Sequence, residues 1–119
     1  MGVRRRISAQ AGRAALDAWR QGGTVDRATL ATAVRFALEE LSAVAEGDSV
    51  EVRVPPFGVA QCLEGPRHTR GTPPNVVEMT ADVWLSLATG GLTWPEAKES
   101  GRLTASGIRA DLSAVLPLF

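Results

Sequence analysis

The sequence predicts an α+β fold, a mostly antiparallel sheet of four to five strands covered on one face by helices. Three observations point there. Apolar residues recur at three- and four-residue steps through the first third of the chain. At Val50 the period drops to two, and three alternating segments follow one another. Helical signals then return, with one more alternating segment among them. Strands grouped together, rather than strictly interleaved with helices, are the mark of a sheet packed on one side.

The first helix is predicted over residues 8–21, with Ser8 as N-cap and Gly22 or Gly23 as the C-terminal stop. Leu16 and Trp19, three apart, share a face of it. A second helix runs from about Thr24 to Ala45, where Leu30, Val34, Ala37, Leu38, Leu41 and Ala45 form one stripe. Arg35, Glu39, Glu40 and Glu46 lie mostly off that stripe. Phe36 lies off it too, so either this helix packs on two sides or an aromatic ring is exposed.

In SVEVRV, Val50, Val52 and Val54 alternate with Glu51 and Arg53, a strand with one dry and one wet face. PPFG (55–58) interrupts the ladder, because proline has no N–H to donate. VAQCLE (59–64) resumes as a second, antiparallel strand, and NVVEMT (75–80) is a third. Thr80 is placed as the N-cap of a helix carrying Trp84, Leu87 and Ala88 on one face and ending at Gly90-Gly91. TWPE is a capping box, with Thr93 as cap, Glu96 reaching back and Pro95 in the first turn. That helix stops at Gly101, and RLTAS alternates Leu103 and Ala105 with polar residues as a fourth strand. IRADLSAVLPLF sets Ile108, Leu112, Val115 and Leu116 at helical spacing and predicts a closing helix up to Pro117. No internal repeat or long linker interrupts this order. It predicts one domain over 1–119, with 1–23 an N-terminal helix and basic start and 24–119 the core.

Composition excludes several functions. Thirteen acidic residues balance thirteen basic ones, so no global field steers the chain to nucleic acid. All the basic residues but Lys98 are arginine, and Ala, Gly and Pro are plentiful, the codon bias of a GC-rich genome. No apolar run approaches the ~20 residues of a membrane span, so stable membrane insertion is not expected. Arg13 and Asp17 break up what would be the apolar part of an export signal, and Arg6 stands where a myristoylation motif needs Ser or Thr. One cysteine, Cys62, rules out an internal disulfide framework and suits a cytoplasmic location. With one His and one Cys, no zinc site is expected, nor any other metal or cofactor.

Two groups of residues bear on catalysis. Cys62 and His68 raise a thiolate–imidazole pair, but Cys62 falls mid-strand, where a free cysteine behaves as a small buried hydrophobe. Asp82, Glu96, Glu99 and Asp111 fall in first or last turns of predicted helices, where carboxylates complement caps and dipoles; none is paired by spacing as acid and base. The arginines at 4–6 read as a solvated terminus.

The C-terminal run VWLSLATGGLTWPEAKESGRLTASGIRADLSAVLPL resembles the closing signature of the type-two sterol carrier protein family. Gly90, Leu92, Ala97, Ser100, Gly101, Leu103, Gly107 and Leu112 occupy the matching positions. The preceding SVEVRVPPFGVAQCLEGPRHTRGTPPNVVEM is similar to the form this region takes in small actinobacterial members, and together the stretches cover about residues 28–119. The resemblance implies a sheet of about five strands whose inner face, with its helices, encloses an apolar tunnel for a sterol, fatty acid or acyl chain. It implies a carrier, or a lipid-binding appendage of a larger enzyme, rather than a catalyst. A related fold is the accessory C-terminal part of mycothiol-dependent maleylpyruvate isomerases. On this footing Trp84, Leu87, Trp94, Leu103, Leu112, Val115, Leu116 and Phe119 are either plain core or the apolar wall of a lipid pocket. Core and pocket wall have the same composition.

GPRHTRGTPP (65–74) sets Arg67, His68 and Arg70 between glycines and prolines. Guanidinium presents a planar fork suited to a carboxylate or phosphate, so these residues are candidates for the polar rim of a ligand site or for a contact with a partner protein. The alternative is a stiff connection whose arginines pair with Glu51, Glu64 or Glu78. Two functions follow: a carrier that holds a fatty-acyl or sterol-like ligand between the sheet and the C-terminal helices, or an interaction module with a filled core acting with a separate enzyme.

Overall fold

The computed structural model describes residues 5–22, 24–65 and 75–119. Its elements are α1 (Ala9–Arg20), α2 (Arg27–Val44), β1 (Val50–Val54), β2 (Gly58–Cys62), β3 (Val76–Met79), α3 (Ala81–Thr89), α4 (Trp94–Glu99) and β4 (Leu103–Ser106). The strands form one four-stranded sheet in the order β2-β1-β3-β4. β1 pairs with β2, and β3 with β4, antiparallel, while the central β1–β3 pair is parallel. The sheet is therefore mixed. A parallel neighbour needs a long return, and here β2 and the 63–75 connection supply it.

Alternation decides the two faces. Val50, Val52, Val54, Ala60, Cys62, Val77, Met79 and Leu103 are buried on one, while Val59, Glu78 and Thr104 on the other are exposed. Helices cover only the first face, as predicted.

α1 starts where its sequence says, Ser8 Oγ accepting from Ala11 N at 3.1 Å. α2 begins three residues later than Thr24, because Asp26 takes the cap and its Oδ1 accepts from Thr29 N at 2.7 Å. This helix packs on two sides. Val34, Ala37, Leu38 and Leu41 belong to the main core, while Phe36, 3% exposed, turns to α1. There it lies so close to Gly12 that a Cβ would overlap its ring, and it stacks on Phe119 with centroids 5.6 Å apart. In α3, Ala81, Trp84, Leu85, Leu87 and Ala88 are all buried, a wider face than predicted. The Trp84 indole donates to Val34 O at 3.3 Å, so the largest core side chain leaves no polar atom unpaired. Thr80 occupies the N-cap position of α3 without a side-chain hydrogen bond. The predicted capping box at α4 forms in full, with Thr93 N donating to Glu96 Oε1 at 3.0 Å.

The predicted closing helix does not form. Residues 107–119 make separate turns, with Val115 N and Leu116 N both donating to Leu112 O at 3.1 and 3.2 Å. The chain then crosses to α3, where Leu118 N and Phe119 N donate to Ala88 O at 2.8 and 3.1 Å. Three causes act together. The Asp111 carboxylate accepts from Ser113 N at 2.8 Å, a local bond that competes with helix. Pro117 disfavours helical geometry at Leu116. The apolar spacing is not a stripe either, since Leu112 is fully buried and Ile108 is 98% exposed.

Candidate functional site

Where α2 passes the edge strand β2, the surface opens into a groove of about 530 Å³. Its apolar side is built by Ile7 before α1, Leu38 on α2, and Phe57, Val59 and Ala60 in and beside β2. Its polar side is Arg6, Arg35, Glu39, Thr32 and Ser42. The turn at residues 55–57, closed by Phe57 N donating to Val54 O at 2.9 Å, projects Phe57 beside α2. Gly58 then begins β2, and a Cβ at this position would lie 3.2 Å from the Leu38 side chain. A larger residue at 58 would fill part of the opening.

Hydrogen bonds hold the walls in place. Ser42 Oγ donates to Gln61 O at 3.0 Å, tying α2 to the outer edge of β2. Arg35 Nε donates to Phe57 O at 2.8 Å, tying the same helix to the turn. Glu39 accepts from the backbone N–H groups of Arg6 and Ile7 at 3.1 and 3.2 Å, and Arg5 pairs with Glu40 at 2.7 Å. The basic start, read from sequence as a solvated terminus, is thus docked on α2 from Arg5 onward. The Arg27 guanidinium lies over the Phe57 ring, 5.3 Å from its centroid.

The eight residues predicted as an apolar wall sit elsewhere. Trp84, Leu87, Trp94, Leu103 and Leu112 are core residues exposed by 6% or less, and Val115, Leu116 and Phe119 pack half-buried against that core. Leu87, Trp94 and Leu116 also line a small cleft of about 210 Å³ beside Gly90 and Pro117. Arg67, His68 and Arg70 lie outside the described residues. The anchors of their connection are visible: Asn75, 4% exposed, donates to Ser49 O at 2.8 Å and accepts from Arg109 N at 3.0 Å. Of their proposed partners, Glu51 pairs with Arg53.

Cys62 is fully buried, and desolvation pushes its thiol up to about 12, so at neutral pH it is protonated. The carboxylates weighed from sequence have local roles. Glu96 is held below its usual range by the Thr93 backbone N–H and then its hydroxyl, and Asp111 by Ser113. Asp82 accepts from the Trp19 indole at 3.0 Å, joining α1 to α3. Among the described residues no cluster of three metal-ligating side chains occurs, and no helix is long and apolar enough to cross a membrane.

Periodicity missed the groove. Its walls come from three separate segments, residues 6–7, α2 and residues 57–60, and the only local hint was the off-stripe position of Arg35 and Glu39 on α2.

A one-sided α+β sheet with a groove between α2 and its edge strand defines the fold class. Within that class the comparison is specific: the family described as bacterial SCP ortholog matches residues 26–118, and the chain belongs to this sterol-carrier-protein-like family. The match begins at Asp26, the N-cap of α2, and so leaves α1 outside it. No curated protein matches the chain significantly.

Proposed function

We propose that the protein is a non-enzymatic carrier that holds an apolar or amphipathic ligand, of fatty-acyl or sterol-like kind, in the groove between α2 and β2. Family membership supports the carrier class. The observation that carries the location is the groove itself, whose volume of about 530 Å³ falls within the ~300–1,000 Å³ typical of ligand sites. A site under the C-terminal segment is less favourable, because a chain there would have to displace side chains such as Trp84 and Leu112. Re-exposing one such side chain costs about 1.5–3 kcal/mol.

The test is mass spectrometry of an organic extract of the purified protein, with uptake of an environment-sensitive fluorescent fatty alcohol. Expected are a co-purifying lipid-like molecule and saturable uptake. In Gly58→Val the new side chain meets Leu38 at the groove wall, and uptake should fall while the circular dichroism spectrum stays that of the wild type. A clean extract together with no uptake would sink the carrier reading. One observation favours the second reading, an accessory module acting with a separate enzyme: the predicted wall residues pack as core. That reading gains if the probe is not taken up.

A further inference from the structure

We infer that the groove selects a ligand whose head carries a single negative charge, recognised by the guanidinium groups of Arg35 and Arg6; this rests on the carrier reading above. Arg35 and Glu39 stand four apart on α2, the spacing at which opposite charges usually pair. They do not pair here. Glu39 spends its carboxylate on the Arg6 and Ile7 amides, and Arg35 spends its Nε on the Phe57 carbonyl.

The result is an oriented cation without a counter-ion. Its Nε bond fixes the Arg35 guanidinium at the groove, while its two terminal amino groups make no hydrogen bond or ion pair among the described residues. The Arg6 side chain, on the same rim, has no carboxylate partner among them either. A planar fork with free N–H groups is the donor arrangement that grips a carboxylate.

Charge and shape narrow the ligand further. The lining holds two cations and one anion, so one positive charge is left for the ligand to neutralise. Arg27, over the face of Phe57, keeps its charge but is not one of the residues that line the groove. A monoanion balances that excess; a dianionic head would overshoot it. Beside the arginines lie Ile7, Leu38, Phe57 and Ala60, a surface for one hydrocarbon chain. The ligand class is therefore a single-chain amphiphile ending in a carboxylate, and a neutral sterol or alcohol would leave Arg35 unsatisfied.

The experiment compares a fluorescent long-chain fatty acid, the matching fatty alcohol and the matching alkyl phosphate, each titrated into the full chain at low and high salt. The acid should bind roughly tenfold tighter than the alcohol at low salt, the worth of one charge-assisted contact. That advantage should shrink as salt rises. In Arg35→Gln the acid-to-alcohol affinity ratio should fall toward one, and a circular dichroism spectrum like that of the wild type shows that the variant is folded. Arg6→Gln should remove part of the advantage. Equal affinity for acid and alcohol in the wild type, or an acid preference that survives in the double variant, overturns the inference and leaves the carrier reading standing. Tighter binding of the phosphate dianion than of the acid overturns the single-charge assignment. If neither acid nor alcohol binds, the carrier reading itself fails and the inference falls with it.

Discussion

A single residue step along α2 separates two very different environments. Val34 is fully buried and its carbonyl accepts the Trp84 indole N–H, at the centre of the packed interior. Arg35, the next residue, is exposed at the groove and holds a charge that no described carboxylate neutralises. In the interior every buried side-chain polar atom among the described residues has a partner, and large side chains fill the space. At the groove, volume and bonding capacity are left over. An interior that is satisfied contributes stability and nothing else; a surface with unspent donors can bind.

The sharpest way to break this contrast is Trp84→Ala. It removes the largest fully buried side chain, and the cost should be about 3–5 kcal/mol, read as a shift in the urea midpoint. Groove variants such as Arg6→Gln, whose side chain carries no structural bond among the described residues, should stay within about 0.5 kcal/mol of wild type by the same measurement. If the two effects are comparable, the groove is structural rather than a site.

The junction of α1, α2 and the C-terminal segment is next. In an ordinary helix Gly→Ala would stabilise by about 1 kcal/mol. Here Gly12→Ala drives a methyl into the Phe36 ring, which is stacked on Phe119, and a net loss of about 1–3 kcal/mol is expected. Phe36→Leu in the same chain should recover part of it. A stabilised Gly12→Ala variant would show that α1 does not sit as tightly as the geometry requires.

The smallest effect belongs to the surface cap. Thr93→Ala should cost about 1 kcal/mol near neutral pH. The pH dependence follows from Glu96, whose carboxyl is held below its usual 4.5 by the Thr93 bonds. A depressed carboxyl contributes stability above its unfolded value, and that contribution is lost as pH falls through the folded one. Thermal melts should therefore show wild type losing stability below about pH 4.5, and Thr93→Ala falling less steeply over the same window.

Much of the fold was legible because its signals are local. The Val50–Val54 alternation, the Thr93–Glu96 capping box, the Ser8 cap and the two prolines that close β1 each depend on neighbours a few residues away. The closing helix failed for the same reason in reverse. Spacing suggested a stripe, but Asp111 bonded locally to Ser113, and the segment gained more by crossing to Ala88 than by winding up. Phe36 looked like an anomaly until α1 and Phe119 were brought to it. Of the site, Arg35 and Glu39 stood out, as charges off the apolar face of α2; Arg6 was legible only as part of a basic start, and Ile7, Phe57 and Ala60 carried no mark.

By itself the sequence determined the helix and strand types as far as β4, the one-sided burial of the sheet, the inert burial of Cys62 and the family resemblance that the family comparison bears out. All of these follow from periodicity, caps and composition, which act over a few residues. Only the tertiary structure decided that β1 and β3 run parallel, that the residues weighed as core or pocket wall pack into the interior or against it, and that Glu39 turned to backbone amides and left Arg35 without a described carboxylate partner. Those outcomes depend on which distant segments compete for the same surface or the same donor, and spacing along the chain does not record that competition.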